Sequence, residues 1–517
     1  MDKLGTKVKG TIVGFDRIVF KGSIQPIAHS EGMMSFLVAR KVLNKDFKAW
    51  AMAQSRLIVS SAEEISLRHC GCKVEWIGSL NTRKEELART RQEERGVKEG
   101  LIGVFSCVES CSSFKSTFDP ENTYPALKRE STKCKHLYYY LDHPAYGFMS
   151  VRLQTWAPYE IQIALNGREW LARLLGEAGC GYVKSGNKFF HIDDHGLAQE
   201  LLYRQRTTDF KEVLDSFLPI VFPCKEEVLG PYLSYYWTFW QSEVAKDYLF
   251  YDSKELEELM GDFQLHALIT GNGRSILKYF GSPVRKDGLP RHGSCPEVFS
   301  KTSSWYDGLR VRHWHNTNSL KLYNEHNVFR VEMTMNDPTQ FMVWRHKQGQ
   351  DKDGPKHYLK MRKGVADTAV RFDVSHDAIG RLTEHMSHIG EKTVRLGDVL
   401  FPVAKPPASS PRFRAIEAFG KDRELLGAVG NPANDVCAIT NRQLQKALAE
   451  TPWAKGMSGK RLSARISRHL RLLRAHGLIR KLPNQRKYAL TDKGRRLGGA
   501  VDCALAASVN ELLKLAA

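Results

Sequence analysis

SGKRLSARISRHLRLLRAHGLIRKLPNQRKYALTDKGRRL, Ser458 to Leu497, is the stretch from which the chain is best read. Between Lys455 and Arg496 stand fourteen Lys/Arg and one acid, Asp492, a net +13 out of +20 for all 517 residues. So dense a positive charge in so small a module points to a phosphate backbone as its partner. Leu462, Ile466, Leu470 and Leu473 fall at i, i+4, i+8 and i+11, within an arc of about 80° on a helical wheel. Lys460, Arg461, Arg465, Arg468, Arg471 and Arg474 spread over the remaining faces. Gly477 ends that helix as a C′ residue. Two short strand-like runs follow, Leu478 to Leu482 and Lys487 to Leu490, joined by Pro483, Asn484, Gln485 and Arg486. Thr491 can cap a further short helix. Upstream, Thr440 and Gln443 have the spacing of a capping box opening a helix over 441–450.

Helix, turn, basic helix and two-stranded wing make a winged helix-turn-helix pattern. SRHLRLLRAHGLIRK, Ser467 to Lys481, resembles the recognition helix and wing of ArsR/MarR-type regulators. That resemblance implies a basic helix in the major groove and a wing on the adjacent backbone. The expected contacts are Lys460, Arg461, Arg465, Arg468, His469, Arg471, Arg474, Arg480, Lys481, Arg486 and Lys487. The apolar tail, Val501 to Leu515, is expected to form a helix that docks on the module or makes a homodimer, as flanking helices do in MarR-type proteins. Winged helices also serve as protein-docking modules, so the motif alone does not assign a nucleic acid.

The rest of the composition sets broad bounds. At 517 residues, 42% apolar and 10% aromatic, the chain is expected to form several globular domains. No apolar run reaches the roughly 18 residues of a membrane span, and the N-terminus lacks the apolar core of a signal peptide. Ten cysteines without a small disulfide framework favour reduced thiols and a cytoplasmic location. The expected partners are DNA or structured RNA, with no membrane.

In the body, KVKGTIVGFDRIVFKGSI, residues 7 to 24, alternates like strands, and Asp16 is read at a bend feeding a hairpin. Residues 31 to 55 and 85 to 98 read as helices, and Leu101 to Cys107 as a buried strand ending at Glu109 in a Ser-rich turn. Three β runs occupy 137–166, followed by an amphipathic helix from Gly167 and a hairpin from Tyr182 to Ile192. The pattern predicts an α/β or α+β multidomain body with a C-terminal winged helix-turn-helix domain. Expected domains are 1–215, an aromatic-rich 216–401, a Pro-rich linker at 402–412 and a terminal domain at 413–517.

Three ligand sets follow from residue chemistry. Asp16 is placed as the first metal ligand of an RNase H-type nuclease would be, with Glu109 as a second acid, a set suited to Mg2+. Cys107, Cys111 and Cys134, with Cys70, Cys72 and His136 nearby, suit Zn2+, although the spacings are not those of a zinc knuckle. Within GLRVRHWHNTNSLKLYNEHNVFRVEMTMND, Gly308 to Asp337, three strands are expected, with Phe329, Val331, Met333 and Met335 on one face and Arg330, Glu332 and Thr334 on the other. There His313-Trp-His315 resembles the metal motif of HUH rolling-circle endonucleases and transposases. The resemblance implies a metal on His313 and His315 with Glu332 as third ligand and Tyr323 as nucleophile. It departs from that family in placing the tyrosine on a strand.

Tyr232, Tyr235, Tyr236, Trp237, Phe239 and Trp240 crowd nine residues, a composition that makes either a core or a base-stacking platform. Gly281 to Ser304 reads as a loop, and Gly271 to Arg274 as a weak phosphate seat. GFDRIVFKGSI, GFMSVRLQTWAPYEIQIALNGREWLARLL, NSLKLYN with FRVEMTMND, and HLRLLRAHGLIRK together resemble a group of bacterial proteins that are often multicopy in environmental genomes. That resemblance covers most of the length and implies no activity; multicopy occurrence fits a mobile element. Three functions are therefore expected candidates: a nucleic-acid-binding protein forming a nucleoprotein complex, a metal-dependent nuclease or transposase-like enzyme, and a transcriptional regulator.

Overall fold

The computed structural model describes residues 7–78, 82–118, 125–270, 273–283, 296–305, 308–347, 349–350, 354–386, 396–482 and 485–506. The chain divides into two compact units: Ile12–Ala245 with Asn336–Asp373, and Met1–Thr11 with Lys246–Met335 and Val374–Ala517. Expected boundaries at 215 and 401 do not coincide with these, because the chain leaves each unit and returns to it.

The first unit is built on a mixed sheet. Its strands are β1 (Val8–Ser23, from residue 12), β2 (Glu75–Trp76), β3 (Gly100–Thr117), β4 (Ala126–His143), β5 (Gly147–Gln154), β6 (Ile161–Asn166) and the first part of β9 (Tyr236–Phe250). They lie in the order β9–β1–β6–β5–β4–β3–β2. β3 to β6 pair antiparallel, and β2 joins β3 in parallel. A separate hairpin joins β7 (Tyr182–Ser185) to β8 (Lys188–Ile192). The helices are α1 (Ser30–Ala39), α2 (Phe47–Cys70), α3 (Lys84–Arg95), α4 (Gly167–Glu177) and α5 (His195–Arg204), with shorter turns between them. Phe20 packs its ring on Phe210 and Phe239 at 4.9 and 4.8 Å in the core. Ile12, Leu171, Leu175, Phe189 and Leu201 form a second cluster under α4 and α5.

Two expectations change here. β1 is one unbroken strand, and Asp16 sits buried within it rather than at a bend. Its glycines are there for close approach: a Cβ on Gly22 would lie 2.5 Å from the Trp237 ring, and one on Gly14 2.6 Å from Leu202. The Ser-rich segment after Glu109 is not a turn but the second half of β3, paired with β4 from Gly100↔Asp142 to Thr117↔Ala126. Serine on a strand with a polar face needs no turn.

In the second unit β10 (Val298–Trp305), β11 (Gly308–His315), β12 (Asn318–Glu325) and β13 (Val328–Met335) form successive antiparallel pairs, with the last residues of β9 beside β13. The three expected strands are thus present, and β10 occupies the end of what reads as a loop; residues 284–295 of that loop and 271–272 of the phosphate seat lie outside the described residues. After α6 (Ser253–Thr270), the C-terminal module contains α7 (Asn441–Leu448), α8 (Gly459–Ala475), a hairpin of β14 (Ile479–Lys481) and β15 (Tyr488–Leu490), and α9 (Asp492–Ala506). Leu444, Trp453, Leu462, Ile466, Leu470, Leu473 and Leu497 share one apolar core, and α9 packs on α6. Residues 402–412 are not a bare tether. Val403 is buried in that core, and its carbonyl accepts from Ile416 N at 2.9 Å. The expected tail helix is described only to Ala506. No helix among the described residues is long and apolar enough to cross a membrane.

Candidate nucleic-acid interface and metal-ligating clusters

The basic module is organised by the apolar stripe of α8. Leu462, Ile466, Leu470 and Leu473 are each at most 2% exposed. Burying four such side chains contributes roughly 6–12 kcal/mol before the entropy of ordering them. That burial fixes which way the arginines face. Thr440 caps α7 through the reciprocal capping box with Gln443. Asn441 then ties α7 to α8: its Nδ2 donates to the Ser463 carbonyl and to Ser467 Oγ, both at 2.9 Å, and its Oδ1 accepts from Ser463 Oγ at 3.1 Å. Gly477, at φ +71°, ends α8 in the left-handed conformation glycine favours. Thr491 Oγ1 accepts from Gly494 N at 3.1 Å and starts α9.

Lys460, Arg461, Arg468, Arg471, Arg474, Arg480, Lys481, Arg486 and Lys487 are all exposed. Among the described residues no carboxylate pairs with any of them. Arg465 and His469 differ. Both are half-buried against Trp453, the guanidinium over its ring at 4.5 Å and the imidazole edge-on at 4.9 Å. His469 Nδ1 bonds to the Arg465 carbonyl at 2.9 Å, and burial lowers the imidazole's pKa. These two side chains hold α8 on Trp453, a residue that sequence reading did not single out. Arg412, Phe413, Arg414, Arg468, His469 and Arg471 line an open cleft of about 580 Å³ beside α8. Arg414 is committed to the buried Asp422 by two bonds of 2.6 and 2.7 Å, leaving Arg412, Arg468 and Arg471 to face the opening.

β11 to β13 test the histidine motif. The register sets Arg312 opposite Lys321 and Lys321 opposite Glu332; the next row is His313, Leu320 and Met333. Directly paired side chains share a face and alternate rows oppose it. Glu332 therefore projects from the face opposite His313 and His315, and the three cannot ligate one ion. His313 Nδ1 lies 2.9 Å from Ser300 Oγ, and its ring packs on Tyr279 at 5.6 Å; His315 packs on Phe280 at 5.5 Å. Burial pushes both imidazoles down to about 4, His313 with help from His385. They are neutral core residues. Glu332 is paired with Lys321 and accepts from Tyr323 Oη at 3.3 Å, so nucleophile candidate and acid do meet, on the polar face expected for them. That face also carries a buried Arg330–Asp247 pair, with bonds of 2.5 and 2.8 Å.

Asp16 meets an acid that the sequence reading missed. A carboxylate oxygen of Glu243 on β9 lies within 4.8 Å of one of Asp16 on β1. The wholly buried Arg168, at the start of α4, brings Nε to 3.6 Å from Asp16 Oδ1 and donates Nη2 to the Ala245 carbonyl at 2.8 Å. Two carboxylates at this spacing suit an oxygen-seeking divalent cation such as Mg2+, and Arg168 competes with it for Asp16. Glu109 does not belong to that set. It bonds Lys84 at 3.0 Å, Tyr138 Oη at 2.8 Å and Arg152 at 3.0 Å. Burial would raise its pKa, but Lys84, Tyr138 and Arg152 outweigh burial and hold it at about 2. Glu109 is a structural anion, and Arg152 is one of its partners.

The same face of β3 and β4 brings thiols together. Cys107, Glu109 and Cys111 alternate on β3, and His136, Cys134 and Thr132 stand directly opposite them on β4. Cys111, Cys134 and His136 offer ligand atoms within 4.8 Å of one another, whereas Cys107 turns its thiol to Glu109 at 3.4 Å. Cys70 ends α2 and Cys72 follows it past Gly71, with Cys70 donating to the Leu101 carbonyl at 3.3 Å. Seven described cysteines are free, but Cys437 is disulfide-bonded, against the expectation of uniformly reduced thiols.

The aromatic run divides by strand alternation. Tyr235, Trp237 and Phe239 are core residues, Tyr235 Oη bonding the Tyr159 carbonyl and Trp237 Nε1 bonding Asp215, so for these three the core reading of the run holds and none is available to a base. Tyr232, Tyr236 and Trp240 are exposed instead. Comparison of the chain with protein-family models, curated proteins and solved structures gives no match.

Proposed function

We propose that the protein binds nucleic acid through its C-terminal module, read as a winged helix-turn-helix whose basic helix is α8 and whose wing is β14–β15. The observation that carries this reading is the set of nine exposed cations without a carboxylate partner among the described residues, five on a helix whose other face is buried and four on the hairpin that follows it. Exposed like charges repel one another, and phosphates relieve that repulsion while releasing their counterions. Arg468, Arg471 and Arg474 contact backbone or bases; Arg480, Lys481, Arg486 and Lys487 on the hairpin contact the adjacent backbone. Arg465 and His469 set the pose of α8. The partner is duplex DNA or structured RNA.

The test is a salt titration of the full chain on a labelled 30-base-pair duplex and on a structured RNA, read by fluorescence anisotropy. Six or more phosphate contacts give a log–log slope steeper than about −5 on duplex DNA. Absence of binding to both at about 50 mM salt refutes the reading.

A second reading, divalent-metal-dependent phosphodiester cleavage by the first unit, is favoured by the Asp16–Glu243 approach. It predicts Mn2+-dependent nicking of plasmid DNA, lost in Asp16→Asn and in Glu243→Gln. Cleavage that survives both variants removes these residues from the chemistry.

A further inference from the structure

The polar face of β3–β4 holds a cluster that the nucleic-acid reading leaves unused. The Cys111 and Cys134 sulfurs are 2.9 Å apart and unbonded, and one nitrogen of His136 lies within 4.8 Å of both. They come together because strand spacing and ladder register agree. Cys134 and His136 are two residues apart on β4 and share a face; Cys111 stands one row along β3, opposite Thr132. His136 is fully buried. Its Nδ1 lies 3.2 Å from the Cys134 carbonyl, and its Nε2 has no hydrogen-bond partner.

We propose that Cys111, Cys134 and His136 bind a thiophilic divalent cation, Zn2+ being the one their chemistry suits. Two sulfurs and one imidazole are a zinc donor set, and hard cations such as Mg2+ would not take it. In a tetrahedral zinc site sulfurs sit about 2.3 Å from the metal, hence about 3.7 Å apart, so a shift of under 1 Å from the present 2.9 Å seats the ion. Binding releases the thiol protons and removes the close approach of two sulfurs. A bond from the ion to either imidazole nitrogen leaves the other to be oriented by its neighbours, as the Cys134 carbonyl orients Nδ1 here. Three protein ligands leave one position for water. Cys107 is excluded by its bond to Glu109.

The full chain, purified anaerobically with a phosphine reductant and dialysed against about 1 µM Zn2+, is analysed by plasma mass spectrometry. About one zinc per chain is expected, falling to background in Cys111→Ser with Cys134→Ser, while Cys107→Ser keeps full occupancy. Cobalt exchanged into the wild type gives thiolate charge-transfer bands in the near ultraviolet, reduced by roughly half in Cys111→Ser, a half-buried position that tolerates serine. Far-ultraviolet circular dichroism identifies any variant that fails to fold, and the cobalt spectrum of the wild type stands without them. Zinc at background in the wild type, an equal loss in Cys107→Ser, or a Cys111–Cys134 disulfide recovered from the anaerobic preparation overturns the proposal. These readouts use no nucleic acid, so they stand or fall apart from the binding reading.

Discussion

Two regions of the molecule treat charge in opposite ways. Around β3 to β5, Glu109 takes bonds from Lys84, Tyr138 and Arg152, and the side chains of Lys84, Glu109 and Arg152 are 17%, 19% and 31% exposed. Each of these three charges has its opposite. On α8 and the β14–β15 hairpin, cations stand exposed and unanswered among the described residues. Internal pairing of half-buried charges holds a fold together; cations left on a surface hold it apart, and persist where something outside the chain answers them. The same residue type, arginine, is paired in one region and left exposed in the other, and only its neighbours tell the two apart.

The comparison can be broken by exchanging the consequences. The largest effect expected is Glu109→Gln, which leaves Lys84 and Arg152 without their anion. Glu109's pKa falls from an ordinary 4.5 to about 2 in the fold, worth about 3 kcal/mol at neutral pH. Because the folded value is the lower one, that stability is complete above pH 4.5 and is lost as pH falls through about 2. Urea melts between pH 7 and pH 2 should lose this segment of acid sensitivity in the variant, with nucleic-acid affinity unchanged. If affinity falls instead, the two regions are not separate in function.

Next in size is Arg468→Ala with Arg471→Ala. Both side chains are exposed, so stability should move by less than about 0.5 kcal/mol. Affinity should fall roughly 10-fold or more, and the salt slope on duplex DNA should flatten by about 2. An unaltered slope would put the binding face elsewhere. Arg465→Ala sharpens the distinction: its guanidinium lies on Trp453, so lost cation–π packing should cost about 1 kcal/mol of stability. Its affinity loss should be recovered in part by Arg465→Lys, which retains a cation over the ring. The smallest effect is Thr440→Ala, which removes one half of the capping box and should lower the melting temperature by an amount equivalent to about 1 kcal/mol. The slope should stay as in wild type; a changed slope would mean that α7 itself carries a phosphate contact.

What the sequence made legible follows from periodicity. The stripe Leu462, Ile466, Leu470 and Leu473, the capping box at Thr440 and Gln443, and the stop at Gly477 all lie within one element, and all are where local pattern puts them. The alternation of 328–335 was equally readable, down to the meeting of Tyr323 and Glu332. Long-range register was not. His313, His315 and Glu332 look like a ligand set until the β11–β13 ladder sets Glu332 on the other face. Glu243 could not be matched to Asp16, more than two hundred residues away, by any local rule. The strand around Cys111 was hidden for a different reason: serines beside it suggested a turn, whereas even spacing from Cys107 through Glu109 to Cys111 was the signal of a strand face. Tyr235 and Trp237 show the limit of composition, since aromatic density says nothing about which side of a strand is wet.

Asn441 has a consequence for rates. By bonding the Ser463 carbonyl, Ser463 Oγ and Ser467 Oγ at once, it clamps the first half of the basic helix to its neighbour before any ligand arrives. A clamped comb of arginines cannot adapt to a badly presented backbone. Encounters guided by charge should therefore be frequent and mostly fruitless, with residence time set by how well the partner's groove matches a fixed geometry. Loosening the clamp with Asn441→Ala would make the surface more forgiving: association little changed, dissociation faster from the best partner, and a narrower gap between that partner and all others.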